Sequence, residues 1–539
     1  VIDGELWSAA TAAACGIDVL RRELAPGCGF GRAAFARERP FRAGDEAAAT
    51  AAIEVVVTVA AEVGAERLAR VRATLGAAPN PLPALDRARA GDVLSDADFF
   101  DLTRFGDALR DLAAIVAGTS VKIPAFDCDL VAALAPGRVG GRSFHLADAF
   151  DPKLHVARNA AAAAQTTFDL ARSRLEGRVA AALGLAHVRD GEFVVMRGGV
   201  SDVLPPEVRV VREAPTYRLC ELALDGPARE ALAERDAAAA RVAEAEERVR
   251  AELSHVVARV APALETACGA LGELDLLAAR ATFAERHACV VPTLDAAGGI
   301  VLEDAHHPPL ADRLAARGRT CAPISLELEG IGVVTGPNMG GKTAALRTLG
   351  FVAACAALGV PVPARAARLP LFDAIAWLGI TLGGANTLDG DGDLLSAFGT
   401  EVTALRILLD EPPRPTLVLV DEFARTTSPR EGRALLVALI AALRRRGALG
   451  LVTTHLTGIA SAAAVPHFTA GRLRMPSDLG AGDALPLGAA LDRIAAAMVY
   501  GLEPSRGASD AADALALAAA LGLDAGVIAH ARRILAEDG

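Results

Sequence analysis

The chain has 539 residues, of which 52% are hydrophobic, 22% charged and only 4% aromatic, and its formal net charge is −11. That length exceeds one compact core and predicts about three domains. Alanine carries much of the apolar count, so the mean hydropathy of +0.34 is no membrane signal: the sequence shows no bilayer-length run of large apolar residues (about eighteen) and no basic-then-apolar leader. The eight cysteines are scattered without a CxxC pair or metal-ligand spacing, which reads as reduced core thiols of a cytoplasmic protein.

Residues 1–150 read as a helical core region. Ala48 to Ala73 predicts a helix ended by the proline-containing stretch Ala77 to Pro83, and Ser95 is a suitable N-cap for a helix over Asp96 to Ala117. Trp7, Phe99, Phe100 and Phe105 are expected in the core. Two long helical runs follow, Pro152 to Leu183 and Pro227 to Leu274; the second would be roughly 70 Å long at 1.5 Å per residue. Helices of that length suggest levers. Between them, Glu192 to Met196 and Glu207 to Val211 read as short strands, making residues 186–226 a small β-rich tip on residues 151–300.

From about Gly298 strands alternate with helices, which predicts an α/β domain with a largely parallel sheet over residues 301–539. Its chemistry begins at Gly336-Pro337-Asn338-Met339-Gly340-Gly341-Lys342-Thr343, which fits GxxxxGK[ST] at every fixed position. An apolar run, Ile331 to Thr335, enters it and an Ala/Leu-rich run leaves it, so the context is strand, loop, helix. Glycines let backbone N–H groups turn towards phosphate oxygens, at a helix N-terminus that favours negative charge. Lys342, the only lysine after Lys153, would reach the β/γ-phosphates, and the Thr343 hydroxyl would hold Mg²⁺. This predicts a bound nucleoside triphosphate. The buried run Thr416 to Val420 ends in Asp421-Glu422, where Asp421 would anchor Mg²⁺ and Glu422 would polarise the attacking water. A further strand, Leu449 to Thr454, ends in His455, which stands where a γ-phosphate would be sensed.

Two other signals carry no chemistry. Asp389-Gly390-Asp391-Gly392-Asp393 opens like a calcium loop, but Thr400 stands where the bidentate glutamate belongs. His306-His307-Pro308-Pro309 has no partners at ligand spacing and reads as a turn.

These motifs resemble the MutS family, an ABC-type ATPase branch whose nucleotide loop reads GPNMGGKS or GPNMGGKT. Asp421-Glu422-Phe423-Ala424-Arg425-Thr426-Thr427-Ser428 is similar to that family's DELGRGTS segment, with Phe423-Ala424 and Thr426 departing from it. Thr453-Thr454-His455 matches its switch strand, and Ser396-Ala397-Phe398-Gly399-Thr400-Glu401 is similar to its STFxxE signature. The tail from Met498-Val499-Tyr500-Gly501 to Arg533 resembles the family's closing helix pair. The resemblance implies an α/β P-loop ATPase domain of ABC/MutS type, preceded by a mostly α core with long lever helices and a small β-rich tip. It implies a dimer through the ATPase domains, as a homodimer or with a related chain, in which Ser396 acts across the interface on the partner's ATP. About 150 residues precede the first long helix, fewer than reader, connector and core need together, which fits the branch lacking the mismatch reader. Phe283-Ala284-Glu285 mimics the Phe-x-Glu wedge of the family but stands just before the ATPase domain, and reads as structural.

The target is less legible. A clamp on duplex DNA needs Lys/Arg facing phosphates, yet Arg189 to Asp225 holds five arginines against seven carboxylates and no lysine. The family resemblance implies DNA binding in a repair or mismatch-repair-related role. The minimal layout and the Asp421-to-Thr427 segment also resemble MutS-like ATPases that reactivate adenosylcobalamin-dependent aminomutases of the lysine aminomutase type. DNA is the first reading, a protein client the alternative, and no membrane is involved.

Overall fold

The computed structural model describes residues 5–140, 143–188, 191–198, 203–337, 340–379, 397–425, 427–473, 498–505, 515, 518–519 and 521–537. Among these the helices are α1 (Ala9–Cys15), α2 (Ile17–Glu23), α3 (Gly29–Phe35), α4 (Glu46–Ala77), α5 (Leu82–Ala90), α6 (Asp96–Ile115), α7 (Cys128–Leu134), α8 (Pro152–Leu183), α9 (Gly226–Arg286), α10 (Pro308–Ala315), α11 (Lys342–Ala357), α12 (Ala397–Asp410), α13 (Pro429–Arg445), α14 (Ile459–Ala463) and α15 (Ala525–Glu537). The strands are β1 (Arg138–Val139), β2 (Ser143–Phe144), β3 (Glu192–Met196), β4 (Val208–Glu213), β5 (Tyr217–Leu222), β6 (Thr293–Leu294), β7 (Ile300–Ala305), β8 (Ile324–Leu328), β9 (Ile331–Thr335), β10 (Ala366–Leu369), β11 (Ala374–Leu378), β12 (Thr416–Asp421), β13 (Leu449–Thr453), β14 (His467–Leu473) and β15 (Met498–Pro504). By contact the chain divides into two units, one of Val1–Gly76, Ala114–Lys122 and Leu271–Gly539, the other of Ala77–Ala113 and Ile123–Ala270.

The second unit holds α8, the tip and α9 as far as Ala270. Asp151 caps α8 by accepting from the Lys153 N–H at 2.8 Å, and Gly184 (φ 64°) ends it. Ser95 and Asp98 cap the start of α6 reciprocally, the Asp98 carboxylate accepting from the Ser95 N–H at 2.9 Å. Phe99 and Phe105 are fully buried, while Phe100 is half-buried beneath Arg104. Helix α9 runs through Pro262 to Arg286, twelve residues past the expected end at Leu274. Its length is about 90 Å at 1.5 Å per residue. The tip is an antiparallel sheet in the order β3-β5-β4, whose central strand β5 the sequence analysis did not anticipate. Val195, Val208 and Cys220 on its inner face pack against Leu175, Val179 and Leu183 of α8.

In the first unit, β11-β12-β13-β9-β14 run parallel and β15 closes the sheet antiparallel, beside a smaller sheet β6-β10-β7-β8. Strand residues alternate between two cores, as a pleated strand requires. Val334, Leu417, Leu419 and Leu451 face α11, whose Leu346, Leu349, Phe351 and Val352 are fully buried; Val333, Val418, Val420 and Val452 face Leu436, Leu439 and Ile440 of α13. The N-terminal segment joins the first core: Trp7 bridges Ile375 in parallel, Ile375 N–H donates to the Leu6 carbonyl at 2.8 Å, and Cys15, Ile17 and Leu20 are fully buried. Phe283, inside α9, is buried 6.4 Å from the Phe351 ring. Residues 46–90 have the length and hydropathy of a membrane span, but Ile53, Val56, Leu68 and Leu75 are buried within the protein. All eight cysteines are free; Cys128 is exposed, unlike the core position expected for it.

Candidate functional site

The site gathers at the carboxyl ends of three adjacent parallel strands. Register pairs Asp421 of β12 with Thr453 of β13, and Thr453 with Val334 of β9. Beyond β9, Gly336 takes φ 135° and Gly341 φ 99°, and the chain enters α11 at Lys342. A methyl group on Gly336 would stand 2.2 Å from the Ala470 carbonyl oxygen, and one on Gly340 2.6 Å from it, so only glycine lets this loop approach β14. The pairing of β14 with β15 shifts register between Ala470 and Arg472, at the same place. Asn338 and Met339 lie outside the described residues, as do Ser396 and the Asp389–Asp393 run.

Lys342 is buried, its Nζ donating to the carbonyls of Gly336 at 2.9 Å and Pro337 at 3.3 Å and lying 3.5 Å from Glu422 Oε1. A lysine curled back on its own loop is a cation held ready at the helix start. The Thr343 hydroxyl donates to Asp421, 3.1 and 3.0 Å from its two carboxylate oxygens. Thr453 is fully buried and works in both directions: its hydroxyl donates to Asp421 Oδ1 at 2.8 Å and accepts from the Glu422 N–H at 3.1 Å. Burial pushes the Asp421 carboxyl above the usual carboxylate range; the Thr453 and Thr343 hydroxyls pull it back, Glu422 adds to the rise, and Arg347, one turn along α11, opposes it. Glu422 itself sits at φ 50° and pairs with Arg425 at 3.3 Å.

The structure thus brings Lys342, Thr343, Asp421 and Glu422 together. His455 follows β13 at an exposed position, with no hydrogen bond to the other site residues among the described residues. The sequence reads Thr453 only as part of a strand ending in histidine; nothing but its place opposite Asp421 in the register marks it as the residue that ties the Asp421 carboxylate to the Glu422 backbone. The ring of Tyr500, on β15, comes within 3.9 Å of where a Gly341 methyl would lie. His307, from the His-His-Pro-Pro turn, caps α10, accepting from the Leu310 N–H through Nδ1 at 3.1 Å and donating through Nε2 to the Cys15 carbonyl at 2.9 Å.

The residue set suits a small hard cation: one hydroxyl and one carboxylate, both oxygen donors, leaving the remaining positions to phosphate and water, as Mg²⁺ prefers.

Comparison with known proteins bears on this half of the chain. Residues 332–537 match the family model described as MutS domain V. The chain is 34% identical over 213 residues to Endonuclease MutS2 of Exiguobacterium sibiricum, covering 39% of this chain and 26% of the relative. It is 35% identical over 223 residues to Endonuclease MutS2 of Thermomicrobium roseum, covering 39% and 27%. With Endonuclease MutS2 of Clostridium botulinum it shares 32% over 212 residues, covering 39% and 26%. The chain therefore spans about a quarter of the length of the curated relatives it matches. Over residues 332–537 the chain is thus similar to MutS domain V and to the matching part of these MutS2 relatives.

Proposed function

We propose that the chain is a MutS-type ATP-hydrolysing conformational switch acting in a DNA-repair-related role. The observation that carries the reading is the linkage Thr343–Asp421–Thr453–Glu422, with Lys342 beside it, at the strand ends where a strand–glycine loop–helix P-loop would hold phosphate. In this reading Lys342 exchanges its carbonyl partners for the β/γ-phosphates of ATP. Thr343 and Asp421 hold Mg²⁺, which supplies neutralisation of phosphate charge. Glu422 orients the water that attacks the γ-phosphate, and His455 senses that phosphate. Gly336, Asn338, Met339, Gly340 and Gly341 supply backbone N–H donors, Pro337, which has no N–H, fixes the course of the loop between them, and the Tyr500 ring beside Gly341 offers a flat apolar surface for a base. Ser396 completes the site of a partner subunit, which makes the active form a dimer, and the protein works in the cytoplasm.

The MutS2 names of the relatives support DNA as the target; nothing in them favours a cobalamin-enzyme client. The nuclease in those names belongs to the relatives, of which only about a quarter is matched. Glu422→Gln tests the core of the reading. It should bind ATP as the parent does and hydrolyse it at least about a hundredfold more slowly, as befits loss of a water-orienting carboxylate. Turnover equal to that of the parent would remove Glu422 from the mechanism.

A further inference from the structure

Two non-glycine residues just beyond β12, Glu422 (φ 50°) and Ala424 (φ 61°), occupy the left-handed region. Ordinary side chains stay there only where surrounding contacts impose it. For Glu422 the constraint is its N–H, which donates to both the carbonyl and the hydroxyl of Thr453, at 3.2 and 3.1 Å. For Ala424 it comes from elsewhere in the sequence. Its N–H donates to Glu401 Oε2 at 3.0 Å, from one turn inside α12. Glu401 is only 8% exposed; burial pushes its carboxyl up, and the Ala424 N–H opposes that rise. Leu405 and Leu408, further along α12, are apolar and pack into the same core as Phe423 and Ala424. A carboxylate is costly at such a place unless a donor needs it, and among the described residues that donor is the Ala424 N–H. Phe398, also on α12, adds a ring contact to Phe423 at 6.4 Å between centroids.

We propose that Glu401 is a positioning residue for Glu422: by fixing Ala424 in the left-handed conformation it holds the 422–425 turn so that the Glu422 carboxylate stays beside Lys342. This rests on the reading of Glu422 as the residue that orients water. Glu401 touches neither phosphate nor metal, and its effect passes through the backbone.

The test is steady-state ATP hydrolysis by the full chain, comparing the parent with Glu401→Leu, Glu401→Gln and Glu422→Gln. Glu401→Leu should lower kcat roughly tenfold or more, the scale expected when a buried donor loses its acceptor. KM for ATP should change by less than about twofold, because Lys342 and Thr343 are placed by the glycine loop. Glu401→Gln keeps an oxygen acceptor and should recover most of kcat. If the leucine variant does not fold by thermal melting, Glu401→Met, of similar length and without an acceptor, reads the same quantity. An unchanged kcat in the acceptor-less variant overturns the proposal, as does an equal loss in the glutamine variant or a rise in KM at constant kcat. Parent turnover that survives Glu422→Gln unchanged overturns the reading of Glu422 and this proposal with it; a Glu422 effect without a Glu401 effect overturns this proposal alone.

Discussion

At the scale of single residues, His307 has a pH signature of its own. It is buried and holds two backbone groups, the Leu310 N–H and the Cys15 carbonyl, with Phe351 at 5.0 Å between ring centroids. Burial, with some help from the nearby Arg347 and Arg313 charges, lowers its pKa from 6.5 to about 4. The folded-state value therefore lies below the unfolded one. Between pH 6.5 and about 4 the unfolded chain takes up a proton that the folded chain does not. Stability is full above that window and falls through it by about 1.4 kcal/mol per pH unit. His307→Asn keeps a side-chain cap for α10 but loses the donor to Cys15 and the ring contact. It should be less stable at pH 7 by about 1–3 kcal/mol, and urea midpoints should show the gap to the parent closing towards pH 5. A constant gap would mean that His307 does not titrate in this range. This histidine was legible as a turn and not as a cap, because capping depends on where α10 starts. The same limit applied to Thr453: its hydroxyl matters because β12 and β13 are neighbours in register, and strand order is not written in either strand.

At the scale of elements, the parts that announced themselves were those with a strong local pattern. The apolar runs of β9, β12 and β13 and the glycine loop needed no tertiary information. Helix α8, expected over about Pro152 to Leu183, runs over those residues, with Asp151 and Gly184 at its ends. Strand β5 escaped notice because Tyr217 to Leu222 mixes charged with apolar residues and becomes a strand through pairing on both sides. The docking of α1 onto α11 left still less trace, since its sequence, AATAAAC, shows no apolar stripe. What makes room for it is Gly350. A methyl group there would stand 2.5 Å from Cys15 Sγ and 2.7 Å from Leu419 Cδ1, both in fully buried residues. Gly350→Leu would gain somewhat under 1 kcal/mol in helix propensity but force about 1–3 kcal/mol of overpacking or more. The clash wins. The variant should melt several degrees lower and lose protection of residues 5–24 against limited proteolysis. If the protease pattern is unchanged, the α1–α11 contact does not depend on this glycine.

At the scale of the whole molecule, the question is what nucleotide-driven movement would act upon, and charge is the quantity that decides it. The chain is net negative at −11, so duplex DNA would be held by a local basic face or not at all. In the tip, Glu213 pairs with Arg197 at 3.5 Å and with Arg218 at 3.1 Å, and Arg178 pairs with Asp225; these charges are already used. Arg209 and Arg212 of β4 are exposed and make no ion pair among the described residues, although Glu221 stands opposite Arg209 in the sheet. They are the two tip cations best able to meet phosphates. Each phosphate neutralised contributes about 0.9 to the slope of log affinity against log salt. Replacing both arginines with alanine should therefore lower that slope by about two on a duplex or branched substrate, and weaken binding similarly for every sequence. Binding should also respond to ATP in the parent, and at least as strongly in Glu422→Gln, whose bound nucleotide stays unhydrolysed. An unchanged slope in the double variant would take phosphate contact away from the tip. Binding that is weak at about 50 mM salt, where counterion release favours contact most strongly, and indifferent to ATP would remove DNA as the target and leave a protein client in its place.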